Sequence, residues 1–137
     1  MDIHPRNKLV PARRFADVVL ANEYDRKLEC YGPVKKRAAC NGNGLVVEFD
    51  HAKGLHVVLP SGEKSSEGAA YLHVAGADGV FYPAFSKIKG EKLIVWHPDV
   101  KMPVKVKYCT DDYCKGNIYN GAGQPAYPFE ADILYSR

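Results

Sequence analysis

The chain has 137 residues, a length that suits one domain with a real core. Hydrophobic residues make up 46% and charged residues 26%, and 19 basic against 16 acidic residues leave a formal charge of +3. That balance, with the basic residues scattered, argues against a nucleic-acid partner, and no apolar run approaches the ~20 residues a membrane span needs. Asp2, His4, Arg6 and Lys8 also interrupt any apolar leader at the N-terminus.

In chain order, the spacing first predicts a helix over residues 9–31. Phe15, Val18, Val19, Leu20, Tyr24, Leu28 and Tyr31 recur close to helical spacing, with Arg13, Arg14, Asp17, Asn22 and Asp25 between them. Pro11 suits the first turn, and Gly32-Pro33 supplies a stop. Everything after Pro33 reads as β. Val34 to Cys40 is a strand whose Lys35-Lys36-Arg37 run suits a solvated sheet edge. The turn Asn41-Gly42-Asn43-Gly44 leads into Leu45 to Phe49, and His51 to Gly54 turns the chain into Leu55 to Leu59.

Pro60 to Gly68 is polar and reads as a loop. Ala70 to Ala75 is the next strand, Gly76 to Gly79 a turn, and Phe81 to Ile88 an extended stretch in which Pro83 argues for an edge or a bulge. Lys92 to Trp96 and Val104 to Tyr108 follow, the second with clean alternation. Gly116 to Pro128 reads as an irregular loop before a last strand from Phe129 to Leu134. The expected fold class is therefore mainly β: an antiparallel, sandwich-like domain preceded by one N-terminal helix.

Four cysteines occur, at Cys30, Cys40, Cys109 and Cys114, with no C-x-x-C pair to suggest a zinc knuckle. Cys109 and Cys114 flank a polar turn, Thr110 to Tyr113, that brings the two thiols together either as a disulfide or as reduced neighbours. His51, His56, His73 and His97 read as ordinary strand and turn residues, because a metal site wants several converging ligands. Trp96, Tyr108, Tyr113, Tyr119 and Tyr127 read mainly as core aromatics, with a sugar-stacking surface as the other reading.

The heptapeptide Asp2-Ile3-His4-Pro5-Arg6-Asn7-Lys8, continuing through Arg13-Arg14 and the apolar helix, resembles the histidine block of an SGNH-type ester hydrolase. More specifically it resembles the sialate O-acetylesterase family, in which this block lies near the end of the catalytic domain. A second set of pieces is similar to the β-rich C-terminal region of the same family: Val74 to Gly79, Phe81 to Ala84, Pro103-Val104, Gly116 to Asn120 and Gln124 to Phe129. On that resemblance residues 1–32 are the end of the catalytic domain, comprising its histidine loop and last helix. Residues 33–137 are then a C-terminal accessory β-domain.

The resemblance implies a serine carboxylic ester hydrolase that removes acetyl groups from O-acetylated sialic acid or another acetylated sugar, with no cofactor or metal required. His4 maps to the general base, since an imidazole accepts and returns a proton near neutral pH. Asp2 stands two residues before it, where the acid commonly stands three before. Asp2 therefore substitutes for the acid, or the acid lies upstream, or a backbone carbonyl orients the ring. None of Ser61, Ser65, Ser66, Ser86 and Ser136 has the setting of a nucleophile. The expected function is the C-terminal segment of such an esterase, carrying the histidine, lacking the serine and inactive alone. The competing expectation is a stand-alone, non-catalytic β-sandwich binding or interaction module. A periplasmic or secreted parent, and self-association through an exposed helix, complete the expectations.

Overall fold

The computed structural model describes residues 7–133, and the chain divides into two compact units, one ending at Tyr31 and one beginning at Gly32. Among the described residues of the first unit a single helix, α1, spans Leu9–Glu23. Its entry is held by the Asn7 side chain, whose Oδ1 accepts the Val10 N–H at 3.4 Å, and Pro11 lies in the first turn as expected.

The helix stops eight residues before the predicted end at Tyr31. Asp25 adopts a left-handed conformation at φ 49°, and the Arg26 N–H reaches back to the Leu20 carbonyl at 3.1 Å. Asn22 turns its amide onto the Val18 carbonyl at 2.8 Å. Asn22, Tyr24 and Asp25 have too little helical propensity to continue against that alternative. Leu28 and Tyr31 therefore owe their helical spacing to coincidence. No residue of α1 is buried, and Leu9 and Phe15 are 77% and 72% exposed.

Among the described residues the second unit carries eleven strands. In chain order these are β1 (Val34–Asn41), β2 (Gly44–Asp50), β3 (His56–Val58), β4 (Lys64–Ser65), β5 (Leu72–Ala75) and β6 (Phe81–Pro83). Then come β7 (Phe85–Lys89), β8 (Lys92–Trp96), β9 (Lys105–Tyr108), β10 (Ile118–Tyr119) and β11 (Phe129–Asp132). They form three antiparallel sheets, ordered β1-β2-β8-β7, β11-β9-β5-β6 and the small β10-β3-β4. The mainly antiparallel β expectation is met.

Alternation builds the core. In β2 the inward residues are Leu45, Val47 and Phe49; in β8 they are Leu93 and Val95. Opposite them, the second sheet supplies Leu72, Val74, Val106, Tyr108 and Phe129 to the same cluster. Phe49 meets Phe129 edge-to-face at 5.6 Å, joining the two large sheets. Each fully buried side chain of this kind contributes about 1.5–3 kcal/mol relative to exposure.

Two loops contain more order than their composition suggests. Lys64–Ser65 pairs with β3, and Ile118–Tyr119 pairs with its other edge, so both segments read as irregular contribute to the small sheet. The stretch from Phe81 to Ile88 is two strands rather than one. It breaks at Ala84, whose N–H goes to the Leu72 carbonyl at 2.8 Å, and the chain changes sheets there. Pro83 ends β6 at the outer edge of its sheet, where a missing N–H breaks no ladder bond. β1 is likewise an edge strand, with a bulge between Lys35 and Arg37 and Lys36 paired to Asp50 at 3.8 Å.

Candidate functional site

The residues expected to carry catalysis, His4 and Asp2, lie outside the described residues. The serines at 61, 65 and 86 brace backbone. Ser61 and Ser65 accept the N–H groups of Glu63 and Glu67 in their own loop, and buried Ser86 accepts that of Ala69 at 3.3 Å.

The histidines split between turns and ring contacts. His51 sits at a turn with φ 57°, and its carbonyl accepts the Asn120 amide at 2.9 Å. His56 bonds the Gly54 carbonyl through Nδ1 at 2.8 Å, which fixes Nδ1–H as the donor, and stacks on Tyr119. Among the described residues no group of three or more His, Cys, Asp or Glu side chains gathers to hold a metal ion.

Cys109 follows β9 with φ 50°, and the Cys114 thiol lies within hydrogen-bonding reach of it. Both thiols are free. Burial, reinforced by the Cys114 thiol, pushes the Cys109 thiol up to about 11. Since the thiolate is the nucleophile, only on the order of 10⁻³ of Cys109 is reactive at pH 8. Iodoacetamide at that pH is expected to alkylate exposed Cys40 well before Cys109, as peptide mass spectrometry would show. Equal labelling of the two would contradict this account of the Cys109 environment.

Two asparagines that the sequence presents only as loop composition organise the ends of the sheets. Asn117 donates to the Val58 and Gly68 carbonyls at 3.2 and 3.0 Å and accepts the Ala70 N–H at 2.8 Å. Asn120 ties the 120–124 loop to the 51–54 turn in the same manner. Between them Ile118 donates to the buried Tyr108 hydroxyl at 3.2 Å, and Gly116 lies so close that a Cβ there would stand 2.3 Å from that oxygen.

The most developed surface feature is a run of rings at one end of the first sheet. Phe85 and Trp96 are register partners on β7 and β8, out of phase with buried Ser86 and Val95, so both rings face outward. Their centroids are 6.2 Å apart and their planes 25° apart. Phe85 lies 6.1 Å from His97, and His97 lies 4.8 Å from Tyr82, again nearly parallel. Trp96 thus finds its ring partners in Phe85 and its neighbours, not in the tyrosines grouped with it on sequence grounds. Tyr108 is core, Tyr119 stacks on His56, and Tyr113 is 85% exposed.

The run is held in place. Asp99 N–H donates to His97 Nδ1 at 3.1 Å. Val100 N–H bonds the His97 carbonyl at 3.1 Å. Gly44 makes room for Trp96: a Cβ there would stand 3.2 Å from the Trp96 Cβ and 2.6 Å from the Val95 carbonyl oxygen. Two clefts flank the rings. One, about 360 Å³, is lined by Asn41, Asn43, Trp96 and His97; the other, about 450 Å³, by Asp78, Tyr82, Asp99 and Met102. Val100 and Lys101 line both.

Neither a protein-family model nor a curated protein sequence matches the chain. A solved structure does: a carbohydrate acetylesterase from Xanthomonas citri superposes with a TM-score of 0.83 at 34% sequence identity. The match covers 96% of this chain and 30% of the acetylesterase, so the chain spans under a third of that protein's length. The fold of this chain is therefore that of a carbohydrate-esterase segment.

Proposed function

We propose that this chain is the C-terminal segment of a carbohydrate O-acetylesterase of the sialate O-acetylesterase type, contributing the general base to a serine-based site. The observation that carries the reading is the 34% identity over 96% of the chain to a carbohydrate acetylesterase. The heptapeptide around His4 gives the same reading independently.

In this scheme a serine from a preceding segment attacks the acetyl carbonyl. His4 takes the serine proton and then returns it to the departing sugar hydroxyl. Water, deprotonated by the same imidazole, releases acetate from the acyl-enzyme. Asp2, if it is the acid, holds the imidazole in the tautomer that can accept the proton. Oxyanion donors also come from the preceding segment. The substrate is an acetyl ester on a sialic acid or another sugar hydroxyl.

A base without a positioned serine has no proton to take. The purified 137-residue chain is therefore expected to hydrolyse neither p-nitrophenyl acetate nor an O-acetylated sialic acid above a histidine background. The coding region immediately upstream should continue in frame into a serine block. Saturable hydrolysis by the chain alone would defeat the reading. The second reading, a free-standing binding module, draws its support from the organised ring surface beside Trp96.

A further inference from the structure

We infer that the Trp96–Phe85–His97–Tyr82 ring run, with its two flanking clefts, is a binding site for neutral pyranose chains, separate from the ester-cleaving centre. The choice of a carbohydrate rests on the acetylesterase reading above; the site and its preference for uncharged sugars come from the geometry.

A pyranose ring has one face of C–H bonds, apolar and slightly positive, and a rim of hydroxyls. The first needs the electron-rich face of an aromatic ring and the second needs hydrogen-bonding groups beside it. This surface provides both. Successive rings lie 6.2, 6.1 and 4.8 Å apart with planes 25°, 26° and 27° apart, a nearly parallel series rather than the edge-to-face packing of Phe49 on Phe129 in the core. Phe85 is 55% exposed, so much of its ring is open to a ligand.

The clefts place amides at Asn41 and Asn43 on one side, and carboxylates at Asp78 and Asp99 on the other, with Lys101 common to both. Amide and carboxylate groups pair well with vicinal hydroxyls. Two carboxylates against one lysine disfavour a ligand that carries its own carboxylate, such as a sialic acid. A neutral segment of glycan therefore fits better than a sialylated terminus. The series crosses from β8 and β7 of the first sheet to β6 of the second, so it offers an extended track rather than one isolated ring. Binding there would hold an acetylated polysaccharide on the enzyme while the acetyl ester is presented elsewhere.

Trp96 is the only tryptophan in the chain, so its fluorescence reports on this site alone. The test titrates the purified chain with neutral gluco-, xylo-, manno- and N-acetylgluco-oligosaccharides and with sialyllactose, up to about 10 mM, a range that captures millimolar dissociation constants. At least one neutral oligosaccharide is expected to give a saturable change in Trp96 emission and matching heat by calorimetry, with sialyllactose weaker. Phe85→Ala is expected to weaken binding about tenfold without unfolding, because that ring is mostly exposed. Tyr113→Ala, outside both the ring run and the clefts, should leave binding unchanged. No response to any neutral oligosaccharide, or binding that survives Phe85→Ala, overturns the site. A Phe85→Ala variant that destabilises the complete esterase but leaves sugar binding intact would assign this face to protein packing and also overturn it. Absence of esterase activity from the unaltered complete polypeptide would count against the function proposed above, whereas the oligosaccharide titration alone upholds or overturns the sugar site.

Discussion

His4→Ala, placed in the complete polypeptide that joins this chain to a serine-bearing segment, is expected to lower kcat/KM for an acetyl ester by about 10⁴-fold or more. A triad acts as one unit, so removing its base leaves only what binding and the oxyanion donors supply. Acetate release from an O-acetylated sialic acid, followed with p-nitrophenyl acetate in parallel, measures the loss. Added imidazole should restore part of the rate for the small ester, since a diffusible base can enter the vacated position; a merely structural histidine would show no such rescue. Asp2→Asn discriminates among the three ways of orienting the ring. A fall near that of His4→Ala identifies Asp2 as the acid, and a near-normal rate moves that task to an upstream acid or a backbone carbonyl.

Asn120→Ala is expected to be the most damaging single change at the surface-facing end of the β-unit. Asn120 is 1% exposed. Its Nδ2 donates to the His51 carbonyl at 2.9 Å, while Oδ1 accepts the N–H groups of Ala122 and Gln124 at 3.2 and 3.0 Å. Alanine removes these three bonds at once from a buried site. A net loss of about 1 kcal/mol per bond sums to about 3 kcal/mol. For a unit of this size that lowers Tm by on the order of 15 °C. Thermal unfolding followed by circular dichroism checks it, with Tyr113→Ala as the contrast: an 85% exposed side chain should cost about 0.5 kcal/mol or less. Equal Tm values for the two variants would contradict the role given to Asn120.

Local pattern carried most of the fold. β2, β8 and β9 were legible because Leu45, Val47, Leu93, Val95, Val106 and Tyr108 alternate with outward residues, and the pleat alone enforces that period. Leu28 and Tyr31 misled because spacing is silent about termination, which Asp25 and the Asn22 back-bond decided. The division at Ala84 was invisible since its cause is a hydrogen bond to Leu72, twelve residues away, and a change of sheet. Ile118–Tyr119 and Lys64–Ser65 are strands only because β3 lies between them, a long-range fact that no short window contains.

The ring site was half legible. Trp96 could be singled out as an aromatic at a strand end, and Asn41 and Asn43 as a turn. That Phe85 is its register partner follows only once β7 and β8 are known to pair. His97 follows β8 and Tyr82 lies in β6 of the other large sheet, two places the sequence gives no reason to bring together. The catalytic expectation is of another kind: for His4 it rests on the heptapeptide alone, a resemblance and not a packing pattern, and His4 lies outside the described residues.

The most direct test of the esterase reading is covalent labelling of the complete polypeptide with a fluorophosphonate, which reacts only with a serine activated by a base. Mass spectrometry of the digest locates the adduct. The account predicts one labelled serine upstream of this chain, and a labelling rate that collapses in the His4→Ala variant while the β-unit keeps its native circular dichroism. An adduct on a serine within these 137 residues, or labelling that proceeds at the same rate without His4, would contradict it.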